Sequence, residues 1–420
     1  MTTAPAASLL RFATAGSVDD GKSTLVGRLL HDSKAVLADQ WEAVENASRN
    51  RGHSTVDLAL LTDGLRAERE QGITIDVAHR YFATPRRRFI LADTPGHVQY
   101  TRNMVTGAST AELAVVLVDA RNGVVEQTRR HAAVAALLRV PHLVLAVNKM
   151  DLVGYAEPVF AATVEEFSAY AASLGIADLT AFPVSALAGD NVVEPSAHMD
   201  WYSGPTLLDH LETVPVGGDP GREPVRFPVQ YVIRPQGPEH PDYRGYGGQL
   251  ASGVLRTGDT VTVLPSGRTA TVAGIDALGR ATDIAWAPQS VTVRLAEELD
   301  VSRGDLLATG PAPAPATEVT ATVCHLHERS LRRGDRVLLK HTTRTVRAVV
   351  KEISHRIDID TLERRGAPEV LGVNDIGHVV LRTAEPLVLD DYGDNRRTGS
   401  FLLVDPADGA TLTAGMAEVA

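Results

Sequence analysis

The first half of the chain alternates short apolar runs with segments whose apolar residues recur at helical spacing, as in 127–139. The runs are almost continuously apolar, which is typical of strands buried on both faces. They cover residues 9–16, 87–93, 113–120 and 141–148. Because strands and helices alternate along the sequence, the pattern predicts a mainly parallel sheet covered by helices, in an α/β domain over 9–212.

The second half has a different pattern, in which short alternating runs are separated by turns such as TGD and PSG. A Pro- and Gly-rich stretch, 213–224, separates the two halves and has the composition of a linker. A Pro/Ala stretch at 309–318 divides the second half again. Each remaining segment, 225–309 and 319–420, predicts an all-β barrel. The predicted fold is therefore an α/β domain followed by two β-barrel domains.

Composition narrows the class of protein. The hydrophobic fraction of 44% and the charged fraction of 22% are those of a soluble globular chain. The net charge of −11 argues against a protein whose main task is to coat nucleic acid. The single cysteine, Cys324, excludes an intrachain disulfide and fits a reducing compartment. With no apolar run near 18 residues and no leader-like start, we expect a cytoplasmic protein without a membrane partner.

A phosphate-binding motif follows the first predicted strand. Residues 16–23 match GxxxxGK[ST] and open a helix, so backbone N–H groups and the helix N-terminus can face a polyphosphate. Lys22 would neutralise the β- and γ-phosphates, and Ser23 would bind Mg²⁺. The residues predicted to bind nucleotide here are Gly16, Ser17, Val18, Asp19, Asp20, Gly21, Lys22, Ser23 and Thr24.

Further candidate ligands of Mg²⁺ and of the γ-phosphate lie beyond this loop. Asp93 ends the second predicted strand, where a carboxylate can hold Mg²⁺ through water. The N–H of Gly96, in the sequence DTPGH, could contact a γ-phosphate oxygen. Thr74 is a candidate second hydroxyl ligand of Mg²⁺. Without the other motifs, we would take Thr74 for a solvent-exposed strand residue.

His97 is the candidate for orienting the attacking water. Phosphoryl transfer depends on positioning and charge neutralisation, and His97 directly follows the predicted phosphate-contacting Gly96. A single loop histidine is more often only solvated, but its position after DTPG favours a catalytic role. The predicted catalytic residues are His97, Lys22 and Thr74.

Two later motifs predict that the base is guanine. Asp151 of NKMD (148–151) can accept hydrogen bonds from the N1–H and the exocyclic amine of guanine, a donor pair that adenine lacks. Asn148 would support the N7/O6 edge, and the stem of Lys149 would cover the ring. The N–H groups of Ser185, Ala186 and Leu187 could reach O6. Each motif could be an ordinary strand-end turn, but their order and common placement predict an α/β P-loop GTPase domain that binds GTP.

Together, GxxxxGKS, DTPGH, NKMD and SAL, followed by two barrels, resemble the elongation-factor class of translational GTPases over essentially the whole chain. Four segments resemble more closely the large GTPase subunit of heterodimeric sulfate adenylyltransferase. They are residues 16–34, 63–82, 92–109 and 244–267.

The resemblance implies a partner. In that family a small catalytic subunit transfers the AMP of ATP to sulfate, giving adenosine 5′-phosphosulfate and pyrophosphate, and GTP hydrolysis drives the reaction. We find no HxGH-type nucleotidyl-transfer motif, which agrees with adenylyl transfer on a partner chain. Some members continue into a kinase domain; because this sequence contains one P-loop, we expect it to lack that activity. We also expect 35–74 to become ordered with GTP and Mg²⁺ and to face the partner.

Two other functions remain open. The first is a translational GTPase that delivers an aminoacylated RNA, a class that typically carries VDHGKT in the P-loop. Asp20 stands in place of that histidine, and the acidic balance also disfavours nucleic acid as a partner. The second is a protein that senses GTP without turnover, which His97 disfavours.

Overall fold

The computed structural model describes residues 9–34, 41–42, 44–45, 48–49, 56, 58–61, 77–95, 101–217, 221–235, 243–359 and 363–419. Thr74, Gly96 and His97 lie outside the described residues, as does most of the segment 35–74. Apart from residues 359–362, the chain divides into two compact units, the first ending at Val216 and the second beginning at Gly217. The three predicted domain ranges remain predictions.

The first unit is built on one sheet, which has six strands in the described part of the chain, in the order β2-β3-β1-β4-β5-β6. The edge strand β2 runs antiparallel to β3, and the other neighbours are parallel. The strands are β1 (Leu9–Gly16), β2 (Ala78–Ala83), β3 (Arg88–Asp93), β4 (Leu113–Asp119), β5 (His142–Asn148) and β6 (Leu179–Pro183). The predicted parallel sheet is confirmed.

Helices cover both faces of this sheet. In β4, Val115 and Leu117 pack into one buried cluster while Val116 packs into another, so alternate residues face opposite layers of helices. This explains why the strand is continuously apolar. The helices are α1 (Lys22–Asp32), α2 (Thr101–Ala108), α3 (Glu126–Leu137), α4 (Glu157–Ser173) and α5 (Leu207–Thr213), with 3₁₀ turns at Leu58–Leu61 and Met150–Val153.

The second unit contains two antiparallel barrels. In the first, the order β10-β15-β7-β8-β14-β11 closes through the pairing of β10 with β11, and β12 adds to β11. Buried Phe227, Val229 and Tyr246 contribute to its core. The strands of this segment are β7 (Arg226–Ile233), β8 (Gly245–Gln249), β9 (Val254–Arg256), β10 (Thr260–Leu264), β11 (Arg268–Ala277), β12 (Arg280–Thr282), β13 (Ile284–Trp286), β14 (Ser290–Leu295) and β15 (Leu306–Ala308). Of these, β9 and β13 form a separate two-stranded sheet.

The second barrel repeats this plan. The order β18-β23-β24-β16-β22-β19 closes through β18 and β19, and β20 adds to β19. The strands of this segment are β16 (Ala316–His325), β17 (Leu331–Arg332), β18 (Arg336–His341), β19 (Arg344–Ile357), β20 (Arg364–Arg365), β21 (Val370–Leu371), β22 (Ile376–Leu387), β23 (Ser400–Val404) and β24 (Thr411–Glu418). Of these, β17 and β21 form a separate two-stranded sheet. The predicted fold class, an α/β domain followed by two barrels, is confirmed.

A buried ion pair joins the two barrels. The guanidinium of Arg226, at the start of β7, donates to both carboxylate oxygens of Asp390, with Nη2 to Oδ1 at 2.9 Å and Nε to Oδ2 at 2.9 Å. Arg226 is 2% exposed and also donates to the carbonyls of Thr309 and Pro311. The hydroxyl of Thr398 donates to Asp390 at 2.5 Å. This pair therefore fixes the start of one barrel to the other.

Among the described residues, none of the helices is both long and apolar enough to cross a membrane.

Candidate nucleotide-binding site

The loop between β1 and α1 adopts a backbone conformation that requires glycine. Gly21, the residue before α1, has φ +87°, and a Cβ placed on it would lie 2.5 Å from Nδ2 of Asn148. A Cβ on Gly16 would lie 3.1 Å from the Cβ of Leu117. Asp19 also has positive φ, at 68°. The glycines of the motif therefore allow the loop to pack tightly against β4 and β5.

The helix N-terminus behind this loop suits an anion. No side chain caps α1 among the described residues, and the first N–H groups of any α-helix have no acceptor in a preceding turn. The hydroxyl of Ser17 is buried without a hydrogen-bond partner in the described part of the chain. Because a helix N-terminus also carries partial positive charge, this cradle fits the phosphates of a nucleotide.

Lys22 and Asp93 form a buried ion pair beside the cradle. The ammonium of Lys22 donates to Oδ1 of Asp93, and the side chains are 7% and 2% exposed. The hydroxyl of Thr14, in β1, donates to the same oxygen at 3.3 Å. Lys22 follows β1, and Asp93 ends β3. Because these two strands are parallel neighbours, the two charges meet at the same edge of the sheet. Two of the predicted site residues are therefore direct partners.

Asn148 connects the phosphate loop to the loop after β6. Its Nδ2 donates to the carbonyl of Asp20 at 2.8 Å, and its Oδ1 accepts from the N–H of Ala186 at 2.9 Å. The side chain is 1% exposed. Asn148 thus holds together two of the predicted motifs, and its predicted contact with guanine remains a prediction.

The carboxylate predicted to bind guanine is oriented by a serine. The hydroxyl of Ser185 donates to Oδ1 of Asp151 at 2.6 Å. The same hydroxyl accepts from the N–H of Ala188 at 3.2 Å. Arg28, on α1, donates through Nε to the carbonyl of Ala186 at 3.1 Å, which fixes the loop, while Leu187 is 62% exposed at its tip.

Asp119, which we did not predict from the sequence, forms ion pairs with both Lys149 and Arg121. The ammonium of Lys149 is 3.0 Å from Oδ2 of Asp119 and also donates to the carbonyl of Asp19. Arg121 donates to both oxygens of Asp119, at 3.1 and 2.7 Å. Burial acts to raise the pKa of Asp119, but the hydrogen bonds from Arg121 and Lys149 outweigh it and hold that pKa well below its usual range.

Asp20 is a buried carboxylate within the phosphate loop itself. It is 4% exposed, and its Oδ2 accepts from the N–H of Ser17 at 2.7 Å. Burial raises the pKa of Asp20 from 3.8 to about 6, and the charge of Asp119 adds to this. The Ser17 N–H and the ammonium of Lys149 oppose the shift without cancelling it.

The described candidate residues come together at one edge of the sheet. They end or follow four strands, β1, β3, β5 and β6, at the carboxyl ends of those strands. In the same order they are the loop 16–24, Asp93, Asn148 to Asp151, and Ser185 to Leu187. This is where open α/β sheets bind ligands. The roles assigned to these residues, and to Thr74, Gly96 and His97 outside the described residues, remain predictions.

Comparisons with known families agree with this geometry. Residues 7–215 match the model of the elongation factor Tu GTP binding domain. Residues 318–418 match the GTP-eEF1A C-terminal domain-like model. The fold and the site therefore define an elongation-factor-like P-loop GTP-binding protein.

Curated relatives extend over almost all of the chain. It is 57% identical to the bifunctional enzyme CysN/CysC of Mycobacterium tuberculosis (strain H37Rv), over 97% of this chain and 67% of that protein. It is 50% identical to sulfate adenylyltransferase subunit 1 of Aeromonas hydrophila and 49% identical to that of Cellvibrio japonicus, in each case over 97% of this chain and 86% of the relative. The chain belongs to the sulfate adenylyltransferase subunit 1 family.

Proposed function

We propose that this protein binds GTP with Mg²⁺ and hydrolyses it, and that hydrolysis drives sulfate adenylylation on a smaller partner subunit. The observation that carries the proposal is the cluster at the sheet edge, where Asn148 bonds both the phosphate loop and the loop after β6. The family relationship supports the sulfate assignment, because two of the relatives named above are subunits of sulfate adenylyltransferase.

The buried pair of Lys22 and Asp93 links phosphate binding to Mg²⁺ binding. A buried charge is costly without a counter-charge, so Lys22 can leave Asp93 only when phosphate oxygens replace the carboxylate. Asp93 then needs a cation in turn, which Mg²⁺ would supply, with Ser23 and Thr74 as the other proposed ligands. When bound, Mg²⁺ neutralises charge that develops on the phosphate oxygens.

His97 is the proposed residue that orients the attacking water. We expect His97→Ala to retain GTP affinity while lowering turnover by about 10²-fold or more, because a positioned side chain contributes at that level. His79→Ala is the matched control, since His79 is an exposed histidine of β2, and its turnover should stay near the wild-type value. Single-turnover hydrolysis and nucleotide binding, measured on both variants, separate the two effects. An unchanged rate in His97→Ala would refute the assignment.

In the proposed cycle, the partner transfers the AMP of ATP to sulfate and releases adenosine 5′-phosphosulfate and pyrophosphate. The present chain supplies free energy through GTP hydrolysis, and the partner contains the adenylyl-transfer site. This division of labour requires GTP turnover and product formation to rise together.

The test measures GTP hydrolysis by the protein with and without the small subunit, and with and without ATP and sulfate, while phosphosulfate is followed. Hydrolysis that rises only with partner and both substrates, in step with product, supports the proposal. If those additions have no effect and ribosomes stimulate hydrolysis instead, the protein is a translational GTPase and the sulfate assignment fails.

A further inference from the structure

We propose that Asp20 is a positioning residue of the phosphate loop and that its carboxyl group takes up a proton when the nucleotide binds. This inference rests on the proposed nucleotide binding and adds that a proton is taken up together with the nucleotide. It concerns a residue at which the chain departs from the VDHGKT pattern of the RNA-delivering proteins.

The Asp20 side chain folds back across its own loop. Its Oδ2 accepts from the N–H of Ser17 at 2.7 Å, while the backbone N–H of Asp20 donates to the carbonyl of Ser17 at 3.2 Å. The carbonyl of Asp20 accepts from Asn148. The carboxyl group thus shapes the loop from inside, and at 4% exposure it has little access to water.

The charges that face Asp20 do not neutralise it. From the end of β4 the carboxylate of Asp119 repels it, and from the end of β5 the ammonium of Lys149 attracts it. That ammonium is already 3.0 Å from Asp119. Asp20 makes no ion pair of its own among the described residues. This arrangement agrees with the raised pKa of about 6.

A bound nucleotide adds several negative charges to the same loop, and one Mg²⁺ offsets them only in part. Like charges disfavour ionisation, so the pKa of Asp20 should rise above 6 on binding, and a proton should be taken up near neutral pH. By linkage, affinity is highest below pH 6, where Asp20 is already neutral in the free protein. It then falls as pH rises and levels off above the pKa of the complex. A pKa raised by one unit on binding corresponds to about a tenfold weaker affinity at high pH.

Asp20→Asn removes the ionisable carboxyl group while nearly keeping the size and shape of the side chain. The asparagine keeps an oxygen that can accept from the N–H of Ser17, but it cannot ionise. Asp200→Asn is the matched control, because Asp200 is an exposed carboxylate of the same unit and lies outside the candidate site. The control removes the same formal charge from the same unit, leaves the phosphate loop intact and keeps the buried carboxyl group.

The experiment is isothermal titration calorimetry of GDP with excess Mg²⁺, from pH 5.5 to 8.5, in buffers of different ionisation enthalpy. We expect the wild-type dissociation constant to rise about tenfold over this range, with proton uptake near pH 7. Asp20→Asn should lose both effects and bind more tightly than wild type at pH 8.5, whereas Asp200→Asn should keep the pH dependence.

Equal pH dependence in wild type and Asp20→Asn would overturn the inference. Should Asp20→Asn not fold, the wild-type protein still decides, because binding without proton uptake contradicts the proposal. If GDP and GTP fail to bind at any pH, the proposed function itself is wrong and this inference fails with it. Binding that is tight but independent of pH removes only the role of Asp20.

Discussion

Among the single residues of the site, Gly21 shows that the phosphate loop has room for the hydrogen atom of a glycine but not for a Cβ. The residue has φ +87°, and the space where a Cβ would lie is filled by the amide nitrogen of Asn148. That same amide holds the carbonyl of Asp20. A side chain at position 21 would therefore act on two contacts of the site at once.

We expect Gly21→Ala to weaken GDP binding by at least about tenfold, because the methyl group must displace Asn148 from the loop, and a non-glycine residue at this φ adds about 1 kcal/mol of strain. Gly175→Ala is the matched control, since Gly175 has φ +75° with nothing within 4 Å of its Cβ position. The control should lose a similar amount of stability from backbone strain while keeping its affinity. Calorimetric titration and thermal unfolding of both variants test this; equal loss of affinity would contradict it.

Individual residues also show which parts of the site the sequence could not predict. Each predicted motif was recognisable by its residues and by its place at a strand end. Asp119 ends β4 at the same edge, and that position was the available signal for it. Its role depends on Arg121 and Lys149 reaching it from two loops, which residue spacing does not determine.

At the scale of elements, the strands buried on both faces were the easiest to predict, because helices on both sides demand continuous apolar sequence. The edge strand β2, which we did not predict, has a different character. Its burial alternates, with Phe82 buried and Tyr81 71% exposed, and it pairs antiparallel with β3. A short half-exposed edge strand provides little apolar signal, so tertiary pairing rather than composition defines it.

The helix α5 depends on a cap. The hydroxyl of Thr206 accepts from the N–H of Asp209 at 3.2 Å, and Thr206 is 2% exposed. We expect Thr206→Ala to lower the free energy of unfolding by about 1 kcal/mol, because a first-turn N–H loses its partner. Thr206→Ser should restore most of the loss.

Thr213→Ala, at the exposed C-terminal end of the same helix, is the control and should change stability by less than about 0.5 kcal/mol. Urea denaturation provides the measurement. If Thr206→Ser were as unstable as Thr206→Ala, lost packing of the methyl group rather than the cap would be responsible.

At the scale of the whole molecule, the pairing of Arg226 with Asp390 makes the two barrels depend on each other. Removing one partner of a buried pair leaves an uncompensated charge, which costs about 3–5 kcal/mol. We therefore expect Arg226→Ala to lower stability by this amount and to increase hydrogen exchange in strands of both barrels. An increase confined to the first barrel would contradict the coupling.

Arg344→Ala is the matched control for this prediction. Arg344 pairs with Asp305 at 3.5 Å and with the exposed Glu385 at 2.8 Å, and its own side chain is 22% exposed. Because water can replace these partners in part, we expect a loss of about 1 kcal/mol or less. Comparing the two arginines separates the effect of burial from the effect of charge.

The sequence predicted two barrels from short alternating runs and Pro-rich linkers, and that architecture is confirmed. It did not predict the contact between them. Arg226 and Asp390 are 164 positions apart in the sequence. Arginine and aspartate are usually exposed, so neither residue by itself indicates a buried contact. Only the closed strand orders of both barrels bring them together.

The two hydrogen bonds of Asn148 also affect which ligands the proposed site could accept. One short amide spans the gap between the loop that would read a base and the loop that would hold phosphates, so the gap has a length fixed by covalent bonds. A glutamine, longer by one carbon, could not keep both contacts without moving a loop. Under the proposed function, Asn148 therefore fixes the distance between the base-binding loop and the phosphate loop. A nucleotide could then contact both loops, whereas a free base or an inorganic polyphosphate could contact only one of them.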